Sequence, residues 1–306
     1  MLTIDDGGAS IVEDETPKPP REERMTTATR DLFDLTGRYA VVTGAGGAIG
    51  RAVAVGLAQK GATVVLVDIR EGPVREAAAE VEEHGAAVVL VGDTSRPESA
   101  AAIIEQASRA VPQVDIVFNN VGGGSHTLPE QMEFDEFTDN LRVNLHGSFL
   151  IAQGFGRGMI KAGIGGSIIN TASTCGVRAM GRGNFAFSIA KAGVIQMTRE
   201  LAIEWGHLGI RVNAIAPCQL DTPGVLSMMD WGDPSGTTFG ERVLGGIPLG
   251  RLATTADMVG PVVFLASDAA AMVSGVLLPV DGGNLAACAA GSIRRSESDT
   301  TTPTHR

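Results

Sequence analysis

The run Gly44-Ala-Gly-Gly-Ala-Ile-Gly50 follows a short apolar stretch, YAVVTG, and precedes the amphipathic run RAVAVGLAQKG. Strand, glycine turn and helix in that order suit the phosphates of a dinucleotide. Glycines let the backbone close on a pyrophosphate, and the helix N-terminus offers N–H donors and the positive end of its dipole. Gly-rich turns also serve purely structural ends, so the pattern gains weight from its neighbours. One neighbour is Asp68, which ends the next apolar run, ATVVLV. It lies about twenty residues past the last glycine, where a carboxylate accepts the hydroxyls of an adenosine ribose. The same carboxylate repels a 2′-phosphate, so NAD(H) is expected over NADP(H). Arg70 works against that preference, since a guanidinium nearby can hold a phosphate.

A second stretch, Ser167 to Lys191, reads SIINTASTCGVRAMGRGNFAFSIAK. It opens as a short buried strand and passes through Ser173 into a Gly-rich loop. It ends on Phe187-Ser-Ile-Ala-Lys191, at the front of a helix that continues AGVIQMTRELAIEW. This segment, with the T-G-x-x-x-[G/A]-x-G spacing of the glycine turn (Ala48 at its middle position), resembles the short-chain dehydrogenase/reductase family. Further motifs follow in the family's order. Asp93 and Thr94 close the strand AAVVLVGD, and Asn119-Asn120-Val121-Gly122 resembles the family's N-N-A-G. Asn144 sits in the helical run DEFTDNLRVNLHGSFLIAQGFGRGM, and Pro217 and Thr222 follow the strand GIRVNAIAP. The resemblance spans Leu35 to Asn284.

The resemblance implies roles. Ser173 would hydrogen-bond the substrate oxygen, and Lys191 would hold the nicotinamide ribose and lower the pKa of a Tyr hydroxyl. Asn144 would hold a water on the proton path. The implied cofactor set is Gly44, Gly46, Ala48, Ile49, Gly50, Asp68, Ile69, Asp93, Thr94, Asn120, Lys191, Pro217 and Thr222. Within it Asp93 would meet the adenine amino group, and Thr222 the nicotinamide amide. Asp93 also reads as a cap for the next helix, with Ser95 and Pro97 close by. Where the family has its Tyr, this chain has Phe187, one loop residue further from Ser173 than usual. The only tyrosine, Tyr39, opens the first strand and cannot stand in. Phe keeps the ring and loses the proton, and removing a positioned acid/base costs about 10²- to 10⁴-fold in rate. Ser173, a water near Asn144, or His126 would then supply the proton. Cys218, where the family has Gly, reads as a nucleophile beside the nicotinamide or as a small buried hydrophobe.

Three functions fit these residues. The first is an NAD(H)-dependent oxidoreductase interconverting a secondary alcohol and a ketone, with altered proton delivery. The second is a non-catalytic NAD-binding subunit or regulator. The third is a catalyst of a non-redox step on the same scaffold.

Alternating strand and helix runs predict an α/β fold, a single Rossmann-type doubly wound parallel sheet of about seven strands with helices on both faces. The domain is expected over residues 31–285. Residues 1–30 hold seven acidic residues before Met25 and the run PKPP, and read as a disordered tail. Met25 is an alternative start. Residues 286–306 read as a second tail. Gly154, Gly156 and Gly158 are expected to permit close approach at the dimer seam that the resemblance implies, within a dimer or tetramer. Residues 223–250 resemble the family's substrate-covering lid. The net charge of -11 argues against nucleic acid as a partner. No apolar run is long enough to cross a membrane. Three widely spaced cysteines form neither a disulfide framework nor a metal site, which points to the cytoplasm, and no histidine spacing suggests a metal. The expected ligand besides the cofactor is a small-molecule substrate.

Overall fold

A computed structural model of the chain describes residues 31–124, 126–181, 183–232 and 236–287. The tail expected over residues 1–30, with Met25, lies outside them, as do Cys288 and most of the expected C-terminal tail. The order of elements is β1 (Tyr39–Thr43), α1 (Ala48–Gln59), β2 (Thr63–Asp68), α2 (Glu71–Glu82), β3 (Ala87–Val91), α3 (Pro97–Ala110), β4 (Ile116–Asn119), α4 (Phe134–Leu141), α5 (Gly147–Ala162), β5 (Gly166–Thr171), α6 (Phe185–Gly206), β6 (Ile210–Pro217), α7 (Pro223–Leu226), α8 (Phe239–Gly245), α9 (Ala256–Ala266) and β7 (Leu277–Val280). The seven strands form one sheet in the order β3-β2-β1-β4-β5-β6-β7, and every pairing is parallel. This is the predicted doubly wound fold. The strand order reverses between β1 and β4, and a crevice opens beyond the carboxyl ends of strands at such a point.

The strands are largely apolar, without strict alternation, because both faces of the sheet are covered. Alternate residues feed two cores. Val42, Leu66, Phe118 and Ile169 pack with Val53 and Leu57 of α1, Val81 of α2 and Met258 and Val262 of α9. Val41, Val65, Val117 and Ile168 pack with Ile103 of α3 and with Ile151, Phe155 and Met159 of α5. Tyr39 joins this second core from the N-terminal edge of the sheet. No helix among the described residues is long and apolar enough to cross a membrane.

Two expectations need correction. The long helix predicted around Asn144 is two helices joined by a π turn, Arg142–His146. A single π turn spans only five residues, too short a stretch for the apolar period to mark it. The glycines of α5 do not all serve a seam between copies. A Cβ on Gly154 would sit 2.0 Å from Ile104 Cδ1 of α3, and one on Gly156 would sit 2.7 Å from the Trp205 ring of α6. Both glycines let neighbouring helices of the same chain close on α5. Gly158 faces open space.

A buried polar chain ties the two central strands to α5 and α6. Asn119 Nδ2 donates to Asn170 Oδ1 (3.0 Å) and to the Ser148 carbonyl (3.1 Å). Asn170 Nδ2 donates to Thr198 Oγ1 (3.0 Å), whose hydroxyl donates to the Val194 carbonyl (2.8 Å). Replacing Asn170 with Leu strips one partner from Asn119 and one from Thr198 in a dry interior. The expected loss is about 1–3 kcal/mol. Urea denaturation would show it as a lower midpoint at constant slope, and an unchanged midpoint would contradict it.

Candidate active site

β5 delivers the chain to the crevice at Thr171, and α6 returns across it. Lys191 lies on the second turn of α6 and is buried, with its Nζ donating to the Thr171 carbonyl at 2.8 Å. Burial brings its pKa down to about 8, because a charged ammonium loses hydration there. Phe187, one turn earlier, is on the same face of the helix. Its ring centroid is 5.5 Å from Lys191 Nζ, within cation–π range. Ser173 follows β5 and caps a single 3₁₀ turn, Thr174–Gly176, where its Oγ accepts from the Cys175 N–H at 3.2 Å. That bond leaves the hydroxyl proton of Ser173 for a ligand. Gly176 lets the turn rest on α6, since a Cβ there would lie 2.7 Å from the Lys191 carbonyl carbon. Ser173, Phe187 and Lys191 are thus held together by a strand end, a close turn and one helix face.

Asn144 occupies the π turn and is fully buried. Its Nδ2 donates to the Gly123 carbonyl (2.8 Å) and the Asn140 carbonyl (3.0 Å), and its Oδ1 accepts from the Gly123 N–H (3.1 Å). The side chain therefore clamps the loop after β4. Gly122 permits this, because a Cβ there would come within 2.8 Å of Asn144 Oδ1 and 3.0 Å of Lys191 Nζ. Gly124 then passes the Phe187 ring, 3.7 Å from its virtual Cβ. Asn144 and Lys191 are brought to one place, on either side of Gly122.

The residues present fit a dinucleotide. Helix α1 starts at Ala48 without a side-chain cap, so its first N–H groups are available to an anion. Gly44 turns with φ 64°, and a Cβ on Gly50 would fall 2.2 Å from the Gly44 carbonyl oxygen. Only glycine at position 50 lets the helix start so close beneath the turn. Asp68 is buried at the end of β2, where Oδ2 accepts from the Gly46 N–H (3.0 Å) and Oδ1 from the Arg70 N–H (3.0 Å). Arg70 Nε lies 3.3 Å from the same Oδ1.

A cavity of about 730 Å³ opens over Ser173, Phe187 and Lys191, and Ile49, Asn120, Pro217 and Thr222 also line it. The remaining residues of the expected cofactor set, Gly44, Gly46, Ala48, Gly50, Asp68, Ile69, Asp93 and Thr94, lie outside its walls, at and just beyond the carboxyl ends of β1, β2 and β3. Ile69 is exposed, while Thr94 is buried. The capping reading of Asp93 fails, because the N-cap of α3 is Arg96. Asp93 Oδ1 instead accepts from the Ser95 N–H (2.9 Å) and hydroxyl (2.6 Å), closing a local turn. The Ser95 hydroxyl and the Ser95 amide, with Arg142 and Arg96, hold the Asp93 carboxyl below its ordinary range against the opposing effect of burial.

Cys218 is buried, and desolvation pushes its thiol up to about 11, so it is a neutral small hydrophobe at neutral pH. Tyr39 is at the opposite edge of the sheet from the cavity. His126 lines the cavity, with its ring edge-on to Trp231 at 6.3 Å. Sequence reasoning missed the Thr171 carbonyl, Asn140 and the lid side chains Met228, Trp231 and Phe239. Thr171, two residues before Ser173 at the end of a buried strand, was the legible one. No periodicity marks the others. Among the described residues no cluster of three or more His, Cys, Asp or Glu side chains could hold a metal.

The family profile described as enoyl-(acyl carrier protein) reductase matches residues 44–284. NAD-dependent glycerol dehydrogenase of Listeria innocua serovar 6a is 36% identical over 251 residues, covering 82% of this chain and 95% of that protein. A short-chain type dehydrogenase/reductase from Mycobacterium marinum superposes with a TM-score of 0.78 at 30% identity, over 83% of this chain and 98% of the other. A structure assigned as an NAD(P)-dependent gluconate 5-dehydrogenase of Beutenbergia cavernae, with NADP bound at low occupancy, gives 0.77 at 37% identity, over 84% and 100%.

Proposed function

The chain belongs to the short-chain dehydrogenase/reductase family, and on that premise we propose that it is an NAD(H)-dependent oxidoreductase that interconverts a secondary alcohol and a ketone, with Phe187 in the place of the usual Tyr. The observation that carries this reading is the buried Lys191. A desolvated ammonium is expensive to keep. Here it lines the cavity with Ser173, and the Asn144 clamp lies across Gly122 from it. A structural site of this size would be served as well by an apolar side chain. The NAD-dependent glycerol dehydrogenase relative points the same way.

When bound, a nicotinamide dinucleotide supplies or accepts hydride at the substrate carbon. The residues of the chain do the rest. Ser173 Oγ donates its free proton to the substrate oxygen and fixes the carbonyl. Lys191 holds the ribose hydroxyls and lends positive charge to the oxygen through them. Phe187 supplies packing but no proton. Its ring lies against the ammonium, and the proton comes from water entering beside Asn144 and Lys191 or from Ser173 and His126.

A second reading has its own observation. The Phe187 ring satisfies Lys191 by a cation–π contact without any hydroxyl, which suits a subunit that binds NAD(H) and does not use it. NADH consumption by the purified full chain with a panel of ketones, and NADH formation from NAD⁺ with secondary alcohols, separate the two. Turnover above solution background is expected, and tight NADH binding without turnover would favour the second reading.

Cofactor preference follows from Asp68. Its carboxylate is already fixed in place by the Gly46 and Arg70 N–H groups, where it would meet a 2′-phosphate. NADH is expected to bind at least about tenfold more tightly than NADPH, the effect of roughly one pK-unit-sized charge repulsion. Titration calorimetry with the two reduced cofactors checks it. Equal or tighter NADPH binding would show that Arg70 governs the site. Self-association of the chain, as a dimer or tetramer, is part of the same proposal.

A further inference from the structure

We propose that the substrate taken by this cavity is an apolar, ring-bearing ketone or secondary alcohol rather than a linear polyol, an inference that rests on the oxidoreductase reading above. Six apolar side chains, Phe187, Leu128, Val225, Met228, Trp231 and Phe239, line the cavity. A polyol needs a hydrogen-bond partner for each hydroxyl it takes out of water, and these six side chains offer none.

The aromatic part of the wall is built, not incidental. Trp231 and Phe239 are joined by the backbone bond Phe239 N–H to the Trp231 carbonyl (2.6 Å), and Gly240 N–H donates to the Met229 carbonyl (2.9 Å). Gly240 is required for this approach, since a Cβ there would lie 3.0 Å from the Met229 carbonyl oxygen. Trp231 and Phe239 are therefore held next to each other at the cavity wall. From the opposite loop His126 meets Trp231 edge-on, and its backbone is pressed against Gly183, whose virtual Cβ would lie 2.2 Å from the His126 carbonyl oxygen. Trp231 nevertheless remains 56% exposed and Leu128 42% exposed. Large apolar side chains left in water around a cavity gain from a ligand that covers them. At position 187 a phenyl ring adds to the same apolar surface.

Polar side chains line the cavity as well, among them Asn120, Thr174, Gln219, Thr222 and Thr237. Asn184 donates to the Gly181 carbonyl within its own turn (3.1 Å). Ser173 is reserved for the reacting oxygen. Arg242 of α8 is the one further cation on the wall besides Lys191 and the titratable His126. It would draw a carboxylate, so a ring ketone bearing one is a separate case.

The test uses the full chain saturated with NAD⁺, which forms dead-end complexes with ketones and reports binding without turnover. Three probes are compared: 4-tert-butylcyclohexanone, erythrulose and 4-oxocyclohexanecarboxylate. Trp231 fluorescence reads occupancy, and Trp231→Phe identifies the signal against Trp205. The apolar ring is expected to bind at least about 30-fold more tightly than erythrulose, from the apolar surface it covers, with a blue-shifted emission. Trp231→Ala, which removes the reporter and is therefore read by titration calorimetry, is expected to weaken it about tenfold or more, and Leu128→Asn is expected to weaken it as well. Equal or tighter binding of erythrulose or of the carboxylate, or binding of none of the three, overturns the proposal. NADH consumption is then followed with the same ketones. Tight binding of the apolar ring without consumption upholds the substrate class and sinks the redox reading. Consumption with no preference for the apolar ring sinks the class and keeps the redox reading.

Discussion

Phe187→Tyr is expected to raise kcat for ketone reduction by about 10²-fold, because it adds a phenol proton donor where the Phe187 ring has none. The geometry to receive it exists. The ring centroid is 5.5 Å from Lys191 Nζ, and the cavity lies directly over the ring. The ammonium would stabilise a phenolate, so the new hydroxyl would titrate below the usual Tyr range. KM should change little, since both rings fill the same space. Alcohol oxidation by the variant should also gain a pH dependence absent from the wild type. The gain is present above the lowered phenol pKa, where the phenolate accepts the proton, and fades as pH falls through it. Steady-state kinetics in both directions across pH would show this. A variant no faster than wild type, with NADH affinity intact, would mean that position 187 does not meet the substrate oxygen.

Lys191→Met is expected to act in opposite directions on activity and stability. Activity should fall by at least about 10²-fold, because the charge near the substrate oxygen and the cofactor ribose is lost. Stability should rise by about 1–3 kcal/mol at pH 7. The driving cause is desolvation, which lowers the pKa of Lys191 to about 8 in the folded chain. In the unfolded chain it titrates near 10.4. Between these values the unfolded state binds more protons than the folded state, so this group makes stability rise as pH rises. Below about pH 8 both states are protonated and the full penalty of the buried charge is present. The advantage of the Met variant should therefore be constant below about pH 8 and shrink toward pH 10. The lost bond to the Thr171 carbonyl keeps the gain below the full pKa difference. Thermal unfolding of both proteins from pH 7 to 10 would show it. A Met variant less stable at pH 7, or an advantage that grew with pH, would contradict the account. Activity lost for stability gained is what a functional strain predicts.

Much of this was readable in the chain. Apolar runs such as VVLV and SIIN, each broken by a glycine turn or a polar helix, lead to seven parallel strands because a sheet covered on both faces has no need of alternation. The glycine turn and Asp68 were readable because each answers a local demand, close backbone approach at Gly50 and a carboxylate at a strand end. What stayed hidden depends on contacts between distant segments. The π turn at Arg142–His146 leaves no trace in periodicity. The use of Gly154 and Gly156 shows only when Ile104 and Trp205 arrive opposite them. Asp93 looked like a cap because Ser95 and Pro97 follow it, yet the helix begins after Arg96. The pairing of Phe239 with Trp231 is invisible in sequence because it rests on a backbone bond between residues eight apart.

The central proposal, redox chemistry with Phe187 in place of the site's usual tyrosine, is tested most directly by a single turnover of the wild type. Stoichiometric NADH is bound to the full chain, an apolar ring ketone is added, and NADH and product alcohol are followed together. The account predicts slow loss of NADH, matched one to one by alcohol, faster than in free solution and abolished by Lys191→Met. Bound NADH that persists at the solution rate while the ketone occupies the cavity would contradict it.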